Sequence, residues 1–195
     1  MAKKATIAID EIKIGDQTWT TKNLDVSTYR NGEAIPQVQA YKEWDKLTTG
    51  AWCYHEHDTA NGIIYGKLYN WYAVNDPRGL APKGYHIPSD AEWSILTDNL
   101  GENPGRKMKS ISDDWRDEGY DENGTNSSGF NGLPGGSLSV NGCFDALSVS
   151  GGWWSSSEDN SGYTFYRSLK YDTGSALRGY GKCKSFGFSV RCLRD

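Results

Sequence analysis

The sequence predicts one loop-rich α+β domain with two main helices and short antiparallel strands. Aromatic residues make up 13% of the 195 residues, all hydrophobic residues together reach only 36%, and 23 residues are glycine. A core of large rings, packed where glycine lets backbones approach, is typical of β-rich and mixed domains rather than helical bundles. One well-capped helix and several alternating segments are the other two observations. The length suits a single domain over residues 1–195, with 1–11 as an N-terminal extension.

The first element that the sequence predicts is a β-hairpin. In "EIKIGDQTWTTKNLD", Ile12 and Ile14 alternate with polar residues and Trp19 follows the Gly15-Asp16 turn signal. Two alternating runs joined at such a turn indicate paired antiparallel strands.

Two segments have the spacing of helices. In Gly66–Asn75 several large residues recur at helical intervals, and Pro77 lies just beyond, which predicts a helix there. In "PSDAEWSILTDNLG", Ser89 is a good N-cap, Glu92 completes a capping box, and Gly101 is placed to end the helix. The apolar stripe of this second helix consists of Trp93, Leu96 and Leu100.

Residues 112–131 are acidic and poor in aliphatic side chains, which predicts a long surface loop before a series of short strands. Trp153 and Trp154 are interpreted as scaffold, with at least one of them buried, and serines 155–157 as partners for backbone groups at a strand end. In "YTFYRSLKY", alternation predicts an inward face and an outward face. The inward face comprises Tyr163, Phe165, Leu169 and Tyr171, and the outward face Thr164, Tyr166, Ser168 and Lys170.

The closing segment "SFGFSVRCLRD" also alternates and predicts a buried final strand. Its apolar face comprises Phe186, Phe188, Val190 and Cys192, opposite Ser189 and Arg191.

Charge and hydropathy exclude two classes of partner. The net charge is -4 and no long run of Lys or Arg occurs, so a nucleic-acid-binding stripe is not predicted. No stretch of about 20 apolar residues exists, so membrane insertion is not predicted either. Asp10 and Glu11 interrupt the N-terminal segment, and no export signal is predicted in this chain. The sequence therefore leaves the location of the protein open. It fits association with a virion, or a cell surface if an export leader has been removed.

Candidate metal and catalytic residues are few. The cysteines, Cys53, Cys143, Cys183 and Cys192, lack C-x-x-C spacing, which disfavours structural zinc and favours buried free thiols over one disulfide. His55 and His57 form an H-x-H pair that suits a metal if it lies on a strand, but no third ligand is evident, which favours ordinary surface residues. His86 is interpreted as a packed, hydrogen-bonded residue rather than a base.

The sequence disfavours calcium binding and a serine nucleophile. Asp117, Asp121 and Asn123 before Gly124 offer oxygen ligands at short spacing, but the full calcium-loop order is missing, so a solvated turn is favoured. The serines after the tandem tryptophans lack a nucleophile elbow or a partnered histidine, so they are not predicted to be nucleophiles. We expect no metal site, no cofactor and no catalytic residue.

The remaining candidate is a ligand-binding surface near the C-terminus. Tyr and Arg side chains supply large rigid contacts, while Ser and Asp supply adaptable hydrogen bonds, as in antibody paratopes. The alternative is a solvated sheet face with no ligand. The predicted ligand-binding residues are Tyr166, Ser168, Lys170, Asp172, Arg178, Tyr180 and Lys182.

Several long motifs in one order resemble a known family. They are "IGDQTWTTKNLD", "AWCY", "YGKLYNWYAV", "APKGYHIPSDAEWSIL", "SGFNGLPGG", "GGWWSSSE" and "SFGFSVRCLRD". Over residues 12–195 the chain closely resembles the Fibrobacter succinogenes major paralogous domain, a family common on surfaces and in lipoproteins of gut and rumen Bacteroidetes. Asn61-Gly62 and Ala81 stand where many relatives carry cysteine, so the family's disulfide is not expected here.

The resemblance implies a C-type-lectin-like fold of the formylglycine-generating-enzyme branch, in which the two termini meet in one sheet. Members of this broad fold bind ligands, and some are variable proteins of diversity-generating retroelements. Residues 166–184 lie where the variable segment of those proteins is expected. The enzymes of the branch hold copper with two closely spaced cysteines, whereas Cys183 and Cys192 are farther apart.

We therefore expect a non-enzymatic ligand- or receptor-binding module whose partner is a cell-surface protein or glycan. A surface adhesin, a phage receptor-binding protein and a retroelement-diversified variable protein all fit this description. The alternative is a structural subunit of a virion or surface assembly that packs against neighbouring chains. A metal oxidase related to formylglycine-generating enzymes is the least favoured reading.

Overall fold

The computed structural model describes residues 9–119, 123–181 and 183–195, which form eleven strands and five α-helices. The strands are β1 Glu11–Ile14, β2 Gln17–Thr20, β3 Trp52–Cys53, β4 Leu68–Tyr69, β5 Tyr85–His86, β6 Gly135–Leu138, β7 Phe144–Leu147, β8 Ser150–Glu158, β9 Thr164–Lys170, β10 Ala176–Gly181 and β11 Leu193–Arg194. The helices are α1 Tyr41–Trp44, α2 Thr59–Tyr65, α3 Trp71–Val74, α4 Asp90–Leu100 and α5 Pro104–Met108. The predicted α+β class is confirmed.

The strands form two main sheets and a short ribbon. A five-stranded sheet has the order β10-β9-β8-β6-β7, and only its β6–β8 pair is parallel. A four-stranded sheet has the order β1-β2-β11-β5, and β3 pairs with β4. Because β11 lies between β2 and β5, the last strand of the chain is held beside the opening hairpin.

Aromatic side chains form the core, as the composition predicts. One cluster joins Trp19, Trp93, Phe130 and Trp153, with ring centroids 4.7 to 6.0 Å apart along the chain of contacts. A second cluster surrounds Trp154 between the strands and α3. Within the residues that the structure describes, no helix has the length and apolar character needed to cross a membrane.

The two strongest local predictions are confirmed. Glu11–Ile14 and Gln17–Thr20 pair as an antiparallel hairpin. Helix α4 begins after Ser89, whose side chain accepts a hydrogen bond from the Glu92 amide while the Glu92 carboxylate accepts one from the Ser89 amide. Gly101 ends the helix with a positive φ of 66°.

The predicted helix over Gly66–Asn75 is wrong in extent. Only Trp71–Val74 is helical, and Leu68–Tyr69 is a strand that pairs with β3. The Asn70 side chain caps α3 by accepting a hydrogen bond from the Ala73 amide. The helical spacing of the large residues reflects burial of both short elements, not one continuous helix.

The predicted final strand is also interrupted. Phe188 and Ser189 form isolated bridges with Tyr69 and Trp153, and regular pairing resumes only at Leu193–Arg194. Arg191, expected on the face opposite the apolar residues, is completely buried. Its guanidinium donates to the carbonyls of Thr20, Phe130 and Asn131 at 2.9, 2.5 and 2.8 Å. It also donates to the Asn23 side chain at 2.7 Å.

Strand β8 carries the tandem tryptophans, and both are buried, as predicted for scaffold residues. The Trp153 indole donates to Asn23 Oδ1 at 2.8 Å, and the Trp154 indole donates to the Tyr69 carbonyl at 2.7 Å. The following serines do bond backbone groups: Ser157 Oγ accepts from the Asp90 amide at 3.0 Å, at the first turn of α4. Strand β8 is thereby fixed on both faces.

Candidate functional site

A groove crosses one face of the five-stranded sheet and has a volume of about 740 Å³. Strand β9 and the turn after it form one wall, the β6–β7 hairpin forms the other, and β8 runs between them. The side chains that face each other across it include Tyr166, Ser168, Lys170 and Asp172 on the first wall and Ser137, Asp145 and Ala146 on the second.

Small side chains on adjacent strands create this depression. Gly152 lies directly opposite Ser168 in the β8–β9 ladder, and cross-strand partners share one face of a sheet. A Cβ atom added to Gly152 would lie 2.7 Å from Cδ1 of Phe188, so the aromatic ring occupies the space that a larger residue would need. Glycine at this position therefore lets the Phe188 ring pack directly against β8.

Aromatic rings close one end of the groove. The Tyr166 and Phe188 rings stack with centroids 4.7 Å apart, and the Phe186 and Phe188 rings lie 5.7 Å apart and almost parallel. Trp154 supports the stack from below, with its centroid 4.7 Å from that of Phe188. This packing fixes the Tyr166 ring on the half-buried edge of the core, so the groove has a rigid apolar end.

The other end of the groove is polar and carries charges of both signs. Lys170 and Arg116 supply positive charge, while Asp172 and Asp145 supply negative charge. Arg116 forms an ion pair with Glu118 at 3.4 Å and lies over the Tyr171 ring. Within the described part of the chain, the side chains of Ser168, Lys170 and Asp172 make no hydrogen bond or ion pair.

A buried lysine holds the turn that carries these groups. Lys109 is 1% exposed, and its Nζ donates to the carbonyls of Lys170 and Thr173 at 3.0 and 3.1 Å. The turn between β9 and β10 is therefore tied to α5 through its backbone, and this tie does not use the side chains of Lys170 and Asp172.

The structure divides the predicted ligand-binding residues between two faces of the sheet. Tyr166, Ser168, Lys170 and Asp172 line the groove. Arg178 lies opposite Arg167 in the β9–β10 ladder, which places it on the other face. Tyr180 lies opposite Phe165, so its ring points to that face as well, but the residue also lines a small cavity with Tyr166. Lys182 lies outside the described residues.

On that second face Arg178 serves a contact within the protein. Its guanidinium makes a bidentate ion pair with the Asp90 carboxylate at 2.9 and 3.0 Å and lies 4.5 Å from the Phe165 ring centroid. Tyr180 remains 64% exposed, with its ring 5.8 Å from that of Tyr163. Strand alternation therefore separates Arg178 from Tyr166, so these two do not share one surface. Tyr180 does line a small cavity together with Tyr166.

The predicted alternation along β9 is clear only at the end of the strand, whereas Tyr163, Phe165, Tyr166, Ser168 and Tyr171 are half-buried on both faces. Leu169 is fully buried on the inward face, and Lys170 is exposed on the outward face. Thr164 is an exception: it is 1% exposed, and its hydroxyl donates to the Gly181 carbonyl at 3.0 Å. The β6–β7 wall of the groove was missed, because the parallel pairing of Gly136 with Gly151 is not encoded in any local pattern.

The histidine pair lies in a short 3-10 turn at His55–His57, not on a strand. Both rings pack against Phe144, with centroid distances of 5.0 and 4.8 Å. Burial lowers the pKa of His55 and also that of His57. Among the described residues, no three His, Cys, Asp or Glu side chains converge as metal ligands would.

The other candidate residues of the sequence analysis, where the structure describes them, make contacts within the protein. His86 hydrogen-bonds to Glu92 and Asp195, both at 2.9 Å, as expected for a packed residue. Asp117 accepts a hydrogen bond from the Gly119 amide at 2.9 Å, and Asp121 lies outside the described residues.

All four cysteines are in the described part of the chain and are free. Cys53 and Cys192 are buried as predicted, and burial raises the pKa of each thiol to about 12. Cys143 and Cys183 are exposed, contrary to the expectation of burial, because they lie in a hairpin turn and a surface loop.

Comparison with known proteins adds one finding. The model of the Fibrobacter succinogenes major domain matches residues 12–194. Neither a curated protein nor a solved structure shows a significant match. The match covers nearly the whole chain, including both sheets and the groove, and agrees with the resemblance of the sequence motifs. The chain therefore belongs to the Fibrobacter succinogenes major domain family.

Proposed function

We propose that this chain is a non-enzymatic module that binds a cell-surface protein or glycan through the groove on its five-stranded sheet. The observation that carries the proposal is a set of polar side chains, Ser168, Lys170 and Asp172, that have no partner among the described residues and lie beside a fixed aromatic end. Sites for small ligands and peptides combine an apolar surface with a few well-placed polar groups in this way. The proposal covers a surface adhesin, a phage receptor-binding protein and a retroelement-diversified variable protein.

We propose further that the scaffold is the C-type-lectin-like fold of the formylglycine-generating-enzyme branch. The pairing of β11 with β2 supports this, because it brings the opening hairpin and the closing strand into one sheet. The capped helix α4, packed against β8 and β9, is a second supporting feature. An oxidase role is disfavoured, because the Cys192 thiol, whose pKa burial raises to about 12, stays protonated near neutral pH.

The proposal is tested by measuring capture of a glycan array and of a displayed random peptide library by the purified protein. The combined variant Ser168→Ala, Lys170→Ala and Asp172→Ala should lose at least about tenfold in affinity for any captured ligand. The matched control changes the same residue types at exposed positions away from the groove: Ser161→Ala, Lys83→Ala and Asp98→Ala. Equal loss in both variants, or unchanged capture by the groove variant, would exclude the groove as the site.

A structural subunit of a virion or surface assembly is the second candidate. Ile63 is 87% exposed and Ile64 is 49% exposed on α2, and Ile111 is 75% exposed. Exposed large apolar side chains are a feature of subunit contacts. Light scattering distinguishes the candidates: a discrete oligomer that dissociates on Ile63→Ser favours the subunit, and a monomer that captures a ligand favours the binding module.

A further inference from the structure

A small cavity adjoins the aromatic end of the groove. It has a volume of about 250 Å³, and its walls include Trp154, Thr164, Tyr166, Gly181, Phe186 and Phe188. Tyr166, Phe186 and Phe188 also line the groove, so the cavity and the groove lie on either side of one set of stacked rings. We call this cavity the anchor pocket.

Aromatic rings dominate the anchor pocket, whose walls also include Tyr180 and Cys183, and two of its buried polar groups are already hydrogen-bonded. The Thr164 hydroxyl donates to the Gly181 carbonyl at 3.0 Å, and the Trp154 indole donates to the Tyr69 carbonyl at 2.7 Å. A sugar ring placed here would bury several hydroxyl groups without enough partners, which is unfavourable. A single aromatic or branched aliphatic group instead gains contact with rings on several sides.

The groove next to the anchor pocket has a different chemistry. The side chains of Lys170 and Asp172 are exposed and carry opposite charges, and Ser168 lies between them and the aromatic stack along β9. A peptide can offer charges of both signs and backbone hydrogen bonds to such a surface while placing one apolar side chain in a neighbouring pocket. Buried apolar anchors of this kind supply much of the affinity at protein interfaces.

We infer that the anchor pocket takes one large apolar side chain from a segment of a partner protein that lies in the groove. This inference rests on the proposed function, because it assigns the ligand class of the same site. The groove supplies orientation through charge and hydrogen bonding, and the anchor pocket selects an apolar residue at one position of the segment.

Gly181 makes a direct test of the inference feasible. It lies opposite Thr164 in the β9–β10 ladder, so a side chain added there shares the face that lines the anchor pocket. A Cβ atom at Gly181 would have no neighbour within 4 Å, and Gly181 lines the anchor pocket, so Gly181→Leu adds apolar atoms there with no clash at its first side-chain atom. Ser161→Leu, in the exposed turn between β8 and β9, is the matched control.

The probe is a displayed random library of dodecapeptides selected on the unchanged protein. We expect a consensus with Leu, Ile, Phe or Trp at one position, and alanine at that position should weaken binding at least about tenfold. Gly181→Leu should weaken binding of the consensus peptide by a similar factor, whereas Ser161→Leu should leave that binding unchanged. In Gly181→Leu the alanine substitution in the peptide should have almost no further effect, because the two changes remove the same contact.

Thiol alkylation gives an independent readout. Cys183 lines the anchor pocket and is exposed, while Cys143 is exposed at the tip of the β6–β7 hairpin. Saturating consensus peptide should slow alkylation of Cys183 several-fold relative to Cys143. Equal protection of both thiols, or none, contradicts occupancy of the anchor pocket.

The outcomes separate the two proposals. Peptide binding that needs the groove side chains but is unaffected by Gly181→Leu overturns the anchor pocket and leaves the groove in place. Capture of glycans alone through the groove does the same. If the groove variant binds peptides and glycans as well as the unchanged protein does, the groove and the anchor pocket are both overturned. Both are also overturned if the folded protein captures nothing from either library.

Discussion

A substitution at Asp90 tests whether the arginines on the second face of the sheet stabilise the fold. Asp90 lies in the first turn of α4, and its carboxylate accepts hydrogen bonds from Arg167 on β9 and Arg178 on β10. Arg167 is 3% exposed and its Nη1 lies 2.6 Å from Asp90 Oδ1, whereas Arg178 is 48% exposed. Asp90→Asn keeps the shape and removes the charge that both cations use.

The two arginines differ in how much they depend on that charge. Removing one partner of a buried ion pair costs about 3–5 kcal/mol, since the other charge stays buried. Arg167 retains hydrogen bonds to the Asp90 carbonyl at 3.1 Å and to Ser94 Oγ at 3.0 Å, so the lower end, about 3 kcal/mol, is expected. The half-exposed Arg178 pair is solvent-screened and contributes about 1 kcal/mol or less.

Thermal and urea unfolding measure this difference. For a chain of this size, about 3 kcal/mol corresponds to a fall in Tm of about 6–12 °C for Asp90→Asn, and Arg178→Ala should lower Tm by about 4 °C at most. The lost charge at the helix start accounts for only about 0.3–1 kcal/mol of the total. If Arg178→Ala destabilises the protein as much as Asp90→Asn does, the assignment of the main cost to buried Arg167 is refuted.

The pH dependence of the same contact has a definite sign. Burial acts to raise the pKa of Asp90, but the hydrogen bonds from Arg178 and Arg167 outweigh it, and the pKa is lowered overall. A lowered folded-state pKa stabilises the protein above the unfolded value of about 3.9, and this contribution disappears as the pH falls through the folded-state pKa. The urea unfolding midpoint of Asp90→Asn should therefore fall less at acidic pH than the midpoint of the unchanged protein.

Three further changes have expected outcomes that equilibrium unfolding can measure. Gly179→Ala places a Cβ 2.1 Å from Cζ of Tyr166, so displacement of the ring should cost about 1–3 kcal/mol and weaken any groove ligand. Arg191→Met leaves three buried carbonyls without their donor and should cost at least about 3 kcal/mol, so a loss below about 1 kcal/mol contradicts the role assigned to Arg191. Burial acts to lower the pKa of His86, but hydrogen bonds to Asp195 and Glu92 raise it overall. Its stabilisation is thus fully present below about pH 6.5 and lost as the pH rises through the folded-state pKa, and His86→Ala should remove that slope from urea midpoints measured across this range.

Local signals in the sequence predicted the elements whose stabilising contacts are also local. Ser89 and Glu92 lie one helical turn apart and satisfy each other, so the capping box of α4 could be recognised from four residues. The opening hairpin is likewise determined by its own turn and alternation. The resemblance of the motifs supplied the family, which no single element indicates.

Long-range contacts explain the predictions that failed. Leu68 and Tyr69 have helical spacing with Trp71, but pairing with β3 makes them a strand. Alternation places Arg191 opposite the apolar face, but it does not predict the burial of the guanidinium, which depends on carbonyls from residues 20, 130 and 131 that converge on it. Arg178 was grouped with Tyr166 because both lie near the C-terminus, and only the register of β9 and β10 shows that they face apart.

The unpaired side chains on β9 have a consequence for evolution. Most substitutions in a strand are filtered by their effect on folding, since natural proteins are only marginally stable. In β9 the fold depends on Arg167 and Leu169, whereas, among the described contacts, Ser168 and Lys170 hold nothing else in place. Under the proposed function, mutations at these alternate positions are exposed to selection for recognition almost alone, and a lineage could change its ligand while inheriting the same scaffold.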